Sequence, residues 1–186
     1  MRTPAYPIET SRLLLRPFVA EDLDALFDMR SRPEVTRYLY WEPATLDEVR
    51  PELDRRRRMR TLEEEGGDLH LAAVLREDGT VVGDVSLDWL SAKHRQGEIG
   101  FVFHPDHQGR GLAREAATEM LRLGFEVFDL HRIIGRCDAR NDASAGLMRR
   151  LGMRQEAHFV QNELFKGEWG DELVFAMLAS EWEAVG

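Results

Sequence analysis

Cysteine is nearly absent from this chain, since Cys137 is the only one among 186 residues. A single cysteine cannot form an internal disulfide, which favours a reducing compartment. No apolar run approaches the roughly 20 residues that a membrane-spanning helix needs. Residues 1–4 lead directly into strand-like sequence, without the apolar stretch of a signal peptide. We therefore expect a cytoplasmic protein that does not enter a membrane.

The chain also lacks a linker rich in glycine, serine or proline, and it lacks internal repeats. Its length is that of one domain and is sufficient to bury a substantial core. We therefore expect a single domain over residues 1–186, with its core at about residues 9–178.

Positive charge is in deficit, because 25 Lys and Arg stand against 34 Asp and Glu, a formal net charge of −9. A general nucleic-acid binder needs a basic surface to displace counterions, so the balance argues against nucleic acid as a partner. The arginine-rich block at residues 55–60 is followed by three glutamates at residues 63–65. This pattern favours charge compensation along a solvated helix over a contact with RNA.

The most informative segment is residues 100–113, where a short apolar strand runs through a proline-containing loop into Gly109 and Gly111. A helix follows, with apolar residues at three- and four-residue steps at Leu112, Ala116, Met120, Leu123 and Val127. Glycines allow close approach to the backbone, and the first turn of a helix offers free N–H groups and the positive end of its dipole. The segment therefore predicts an anion site, most often used for phosphate. It lacks the Gly-Lys-Ser/Thr ending of the Walker loop and the third glycine of the dinucleotide fingerprint.

Three segments of the chain carry a family resemblance. Gln108-x-x-Gly111-x-Ala113 matches the signature loop of the GCN5-related N-acetyltransferases, which in that family holds the pyrophosphate of acetyl-coenzyme A. Residues 8–17 resemble the opening strand of the RimJ/RimL-type ribosomal-protein N-terminal acetyltransferases. Residues 141–144, followed by residues 151–153, resemble the second coenzyme segment of the family.

The resemblance implies an α/β fold, with one mixed and mostly antiparallel sheet flanked by helices and a central splayed pair of parallel strands. It implies acetyl-CoA as co-substrate. By position, the residues that would bind the pantetheine arm and the pyrophosphate are Phe101, Val102, Phe103, Gln108, Gly109, Arg110, Gly111, Leu112, Ala113 and Asn141.

Two family positions carry departures that bear on catalysis. Some relatives have a glutamate five residues before the asparagine, where this chain has Arg136. Glu98 is the candidate substitute as general base, with His70 and Asp88 left open. Many relatives have a tyrosine acid seven residues after the asparagine, where this chain has Met148, which cannot donate a proton. Ser144 stands where the RimL-like branch has a serine, three residues after the asparagine, and the resemblance makes it the candidate donor toward the leaving sulfur.

The resemblance implies transfer of an acetyl group from acetyl-CoA to a primary amine by direct attack, with a protein N-terminal α-amine as the first candidate acceptor. Small amines such as polyamines, amino acids or antibiotics stay open, as does a non-catalytic acyl-CoA-binding module. No residue pattern predicts a metal site. A homodimer is compatible with the resemblance.

Hydrophobic and turn patterns predict the secondary structure. They indicate strands at residues 13–15, 69–75, 81–90, 98–103, 131–137, 156–165 and 172–178. Helices are expected from Glu21, from the capping box of Thr45 and Glu48 as far as residue 65, over residues 111–128, and over residues 143–151. Gly167 and Gly170 are expected to form the last turn.

Overall fold

The computed structural model describes residues 4–184, so the two ends of the expected domain, residues 1–3 and 185–186, lie outside the described part. The strands are β1 (Ile8–Glu9), β2 (Leu13–Arg16), β3 (Asp68–Leu75), β4 (Val81–Ser91), β5 (Gln96–Phe103), β6 (Arg132–Asp138), β7 (Arg154–Phe165) and β8 (Glu168–Leu178). The α-helices are α1 (Leu23–Ser31), α2 (Pro33–Thr36), α3 (Leu46–Arg56), α4 (Leu112–Arg122), α5 (Asp142–Arg150) and α6 (Ala179–Glu183).

These strands form a single sheet in the order β1-β2-β3-β4-β5-β6-β8-β7. Neighbouring strands are antiparallel except for β5 and β6, which run parallel. The parallel ladder is short: it joins Gln96, Gly97 and Glu98 to Arg132, Ile133 and Ile134. The predicted α/β fold, with its mixed sheet and splayed parallel pair, is confirmed.

Helices cover both faces of the sheet because its strands alternate apolar side chains between two cores. On one face, α4 buries Leu112, Ala116 and Met120 in the larger cluster. On the other face, α1 and α3 pack Leu26, Val49 and Leu53 against Ala72 and Val74 of β3.

Three predicted boundaries were wrong. Helix α3 keeps the predicted Thr45–Glu48 capping box but ends at Arg56, whose side chain is buried and contacts Asp84 on β4. Helix α4 ends at Arg122 and continues as a π-helical turn at Leu123–Val127. The last turn is made by Lys166 and Gly167, both at positive φ, while Gly170 lies inside β8.

Helix length and hydropathy also bear on the membrane prediction. Within residues 4–184, no helix combines the length and the apolar character needed to cross a bilayer.

Candidate active site

The site begins where β5 and β6 separate. Their ladder ends at Glu98 and Ile134, while β5 continues to Phe103 along β4. Phe101, Val102 and Phe103 therefore have β4 on one side and, on the other, the cavity that opens between the diverging strands. This cavity has a volume of about 940 Å³. An extended chain can add to such a free strand edge through main-chain hydrogen bonds.

The glycine loop closes one end of the cavity. Gly109 and Gly111 have φ angles of 73° and 78°, in the left-handed region that favours glycine. Gly111 is the N-cap of α4, and a Cβ built on Gly109 would meet no atom within 4 Å. The Gln108 side chain donates from Nε2 to the carbonyl of Phe103 over 3.0 Å, which ties the loop to β5. The loop thus offers bare backbone and the first amides of a helix to the cavity, an arrangement that fits a phosphate group.

Arginines supply positive charge beside this loop. Arg114 and Arg150 line the cavity, although the chain as a whole is acidic. The Arg110 guanidinium contacts Nδ1 of His107 over 3.1 Å, and its carbonyl accepts from Arg12. Arg110, one of the predicted coenzyme-binding residues, is not among the residues that line this cavity.

The segment that resembles the family's second coenzyme segment begins α5, and its residues Asn141, Ala143 and Ser144 line the cavity. Asn141 caps this helix, since its Oδ1 accepts from the Ser144 amide over 3.1 Å. Burial raises the pKa of the Cys137 thiol to about 11, against a smaller lowering by the Ser144 hydroxyl. Cys137 is therefore a protonated, inert thiol at neutral pH. Met148, at the position of the family's tyrosine, is buried, and a Cβ on Gly135 would lie 2.6 Å from its Sδ.

Carboxylates concentrate at the other end of the cavity. Glu98 accepts from Nε of Arg136 over 2.9 Å, and Nη1 of Arg136 lies 3.7 Å from Oε1 of Glu172. Glu163 accepts from the Tyr40 hydroxyl over 2.5 Å. All five residues line the cavity. Burial raises the pKa of Glu172, and the neighbouring Glu163 and Glu98 raise it further while Arg136 opposes them.

The two other candidate bases lie further along the sheet. His70 lines the cavity, but its Nε2 faces Asp68 at 3.5 Å, a contact that lowers the pKa of Asp68. Asp88 stands between Asp68 and Glu98 in the strand register, and burial raises its pKa. Of the candidates for general base, Glu98 lies nearest the free edge of β5.

An aromatic segment at residues 38–41 forms the outer wall. The Trp41 ring lies under the Arg30 guanidinium at 3.9 Å from its centroid. Lys166, in the β7–β8 turn, donates from Nζ to the carbonyls of Thr36 and Trp41. Glu163 and Glu172 line the cavity but were not predicted as site residues, because they lie in no local motif and reach the cavity only through the pairing of β7, β8 and β6.

A cavity between diverging parallel strands, closed by a glycine loop at a helix N-terminus, fits the coenzyme A-dependent acyltransferase class that the sequence resemblance implies. The family model of the acetyltransferase (GNAT) domain matches residues 12–154, and the chain belongs to this family. It is thus an N-acetyltransferase that uses acetyl-CoA, and its residues fit that co-substrate because loop and free strand edge lie on one cavity.

The relatives span nearly the whole chain. The uncharacterized N-acetyltransferase YnaD of Bacillus subtilis is 32% identical over 177 residues, 94% of this chain and 98% of that protein. The spermidine N(1)-acetyltransferase of Escherichia coli (strain K12) is 26% identical over 176 residues, 91% of this chain and 88% of that protein. The crystal structure of a GNAT-family acetyltransferase from Bacillus anthracis superposes with a TM-score of 0.83 at 30% identity, covering 94% of this chain and 99% of that one.

Proposed function

We propose that the acceptor is a small amine with two or more positive charges, such as a diamine or polyamine. The observation that carries the proposal is the cluster of Glu98, Glu163 and Glu172 at the end of the cavity opposite the glycine loop. Glu98 and Glu172 face the guanidinium of Arg136, whereas Glu163 accepts from the Tyr40 hydroxyl. The similarity to a protein that acts on spermidine supports the same acceptor class.

The electrostatics of this cluster favour a cation. A buried carboxylate among other carboxylates resists ionisation, and a nearby positive charge relieves that cost. Glu172 is in this situation, since its pKa is raised by burial and by Glu163 and Glu98. A dication placed among the carboxylates would supply positive charge that the single guanidinium of Arg136 cannot supply to all three.

The proposed chemistry assigns one task to each group of residues. Bound acetyl-CoA supplies an activated thioester, held by the free edge of β5 at Phe101, Val102 and Phe103 and by the amides of residues 108–113. Glu98 takes the proton of the acceptor ammonium, directly or through water. The Ser144 hydroxyl donates toward the departing sulfur. Asn141 orients α5 as its cap and would contact the pantetheine arm.

Deprotonation is the larger of the two proton tasks. An alkyl amine with a pKa near 10.4 costs roughly 4–5 kcal/mol to neutralise at pH 7. A thiol with a pKa near 8.5 is a fair leaving group, so the Ser144 contribution should be modest. The base is therefore the residue on which acceptor choice depends.

A protein N-terminal α-amine is the second candidate acceptor. The RimJ/RimL-like residues 8–17 favour it, as does the low reference pKa of an α-amine, about 7.7–8.0.

The single sheet running from Ile8 to Leu178 supports our proposal of one N-acetyltransferase domain with its core at residues 9–178.

A matched panel of acceptors tests the proposal. Free thiol release from acetyl-CoA would be followed with 1,4-diaminobutane, butylamine, a peptide with only its α-amine free, and a peptide with only a lysine free. We expect the highest kcat/KM for the diamine, and a lower one for the diamine in Glu163→Gln with unchanged coenzyme affinity. A higher kcat/KM for the α-amine peptide would transfer the assignment to protein N-termini.

A further inference from the structure

Arg136 occupies an unusual place in the splayed strand pair. It lies on β6 two residues beyond Ile134, the last β6 residue that pairs with β5. Side chains two residues apart on a strand share a face, so Arg136 shares the face of Ile134 and of its cross-strand partner Glu98. Its guanidinium consequently reaches Glu98 at 2.9 Å and approaches Glu172 at 3.7 Å, inside the cavity.

The members of this contact are unequally buried. The side chains of Glu98 and Glu172 are 15% and 6% exposed, whereas that of Arg136 is 49% exposed. Glu172 is also held by Asn162, whose Nδ2 donates to it over 3.0 Å. If the contact opened, the guanidinium would move on its flexible stem into water at little cost. The carboxylates would stay in place and would need another cation.

We propose that Arg136 is an internal competitor of the acceptor: its guanidinium holds the Glu98–Glu172 pair in the free enzyme, and an ammonium group of the acceptor displaces it on binding. This inference rests on the proposed function, in which a small cationic amine binds at this end of the cavity. The apparent affinity for the amine then equals its intrinsic affinity multiplied by the fraction of enzyme in which the pair is free.

Removing the guanidinium tests this competition. In Arg136→Gln, assayed at pH 8 with 1,4-diaminobutane, we expect the KM for the amine to fall about five- to tenfold. The reason is that in most of the wild-type enzyme the partly buried contact of Arg136 occupies the two carboxylates. Arg136→Lys keeps a cation and should retain a KM near that of the wild type. Calorimetric titration of the CoA complex with the diamine should show the same gain in affinity.

Arg140→Gln is the matched control. The Arg140 side chain is 50% exposed and pairs with Asp138 at 2.7 Å, so it resembles Arg136 in exposure and pairing. The second carboxylate near the Arg140 guanidinium is that of Glu168, at 3.8 Å. Glu168 lies outside the cluster of Glu98, Glu163 and Glu172. The KM for the diamine should not change in this variant. Methylguanidinium should compete with the diamine in Arg136→Gln and much less in the wild type, because the vacated carboxylate pair then accepts it.

Other outcomes would overturn the displacement. An unchanged or higher KM in Arg136→Gln, with the calorimetric affinity also unchanged or weaker, would show that Arg136 stays paired and only links β6 to β5 and β8. If the wild type acetylates the α-amine peptide and no diamine, the proposed acceptor class is wrong. The same comparison is then made with the peptide: a lower KM in Arg136→Gln would support displacement by an α-ammonium, and an unchanged one would reject it.

Discussion

At the scale of single residues, Gly111 offers a direct test of the coenzyme loop. A Cβ at this position would meet only Arg12, at 3.5 Å from Nη2, so the protein itself leaves room for a side chain. Gly111→Val would place a branched side chain beside the amides proposed to hold the pyrophosphate. We expect the Kd for coenzyme A, measured by calorimetry, to rise about tenfold or more, because the side chain would keep the pyrophosphate from close approach and its charge-assisted hydrogen bonds to these amides would be lost.

Gly79 provides the control for backbone strain. It has the same φ as Gly111, 78°, in the turn between β3 and β4, and a Cβ there would meet nothing within 4 Å. Gly79→Val should therefore lose similar stability, on the order of 1–2 kcal/mol for a non-glycine residue in the left-handed region. Its coenzyme affinity should match that of the wild type. Equal coenzyme affinity in both variants would count against the loop as the pyrophosphate site.

Asn141 apart, the residues proposed to hold the coenzyme could be singled out from the sequence because they lie in one local run. Residues 101–113 form a strand, a turn and a helix start, each with its own sequence signal. The acceptor half has no such signal. Glu98 and Arg136 were both singled out, but their contact spans 38 residues and depends on how far β5 and β6 separate. Glu172 enters the cavity only because β8 inserts between β6 and β7.

At the scale of elements, the sequence predicted the strands well and some helix ends poorly. The capping box at Thr45 identified the start of α3. Its end at Arg56 was missed because Arg56 contacts Asp84 on β4, a tertiary interaction that the charge pattern of residues 55–65 does not reveal. The π-helical turn after α4 was missed for a similar reason, since a continuous apolar pattern is equally compatible with a regular helix.

Lys166 joins two elements that border the acceptor end. From the β7–β8 turn its Nζ donates to the carbonyls of Thr36 at 3.0 Å and Trp41 at 3.2 Å, and it pairs with Glu42. Lys166→Met removes these contacts and should loosen the aromatic segment at residues 38–41. We expect the KM for the amine to rise about three- to tenfold, as charge-assisted hydrogen bonds are lost, with an unchanged Kd for coenzyme A.

Lys93→Met is the control for loss of a lysine. Lys93 is exposed in the loop between β4 and β5, away from the cavity-lining residues. In this variant the KM for the amine and the Kd for coenzyme A should both be those of the wild type. An amine KM in Lys166→Met equal to that of Lys93→Met would show that the turn does not fix the aromatic segment.

At the scale of the whole molecule, the arginine-rich block at residues 55–60 connects the layer of α1 and α3 to the sheet. Arg56 is buried to 4% exposure of its side chain, pairs with Asp84 on β4 and donates from Nε to Glu52 over 2.9 Å. Arg30 continues the network to Glu52 and to the Trp41 ring. Arg55 and Arg57, by contrast, make exposed pairs with Asp68 and Asp54. The prediction of a solvated face therefore holds for Arg55 and Arg57 and is wrong for Arg56.

This contrast predicts very different costs within one block. Arg56→Met keeps the apolar stem but leaves Asp84, 6% exposed, as a buried charge without its partner. Breaking such a pair costs about 3–5 kcal/mol, so the free energy of unfolding in urea at pH 7 should fall by about that amount. Arg55→Met should change it by about 1 kcal/mol or less. Adding Asp84→Asn to Arg56→Met should restore part of the loss, because the uncompensated charge is removed. Equal stabilities of Arg56→Met and Arg55→Met would mean that the helical layer is held by its apolar contacts alone.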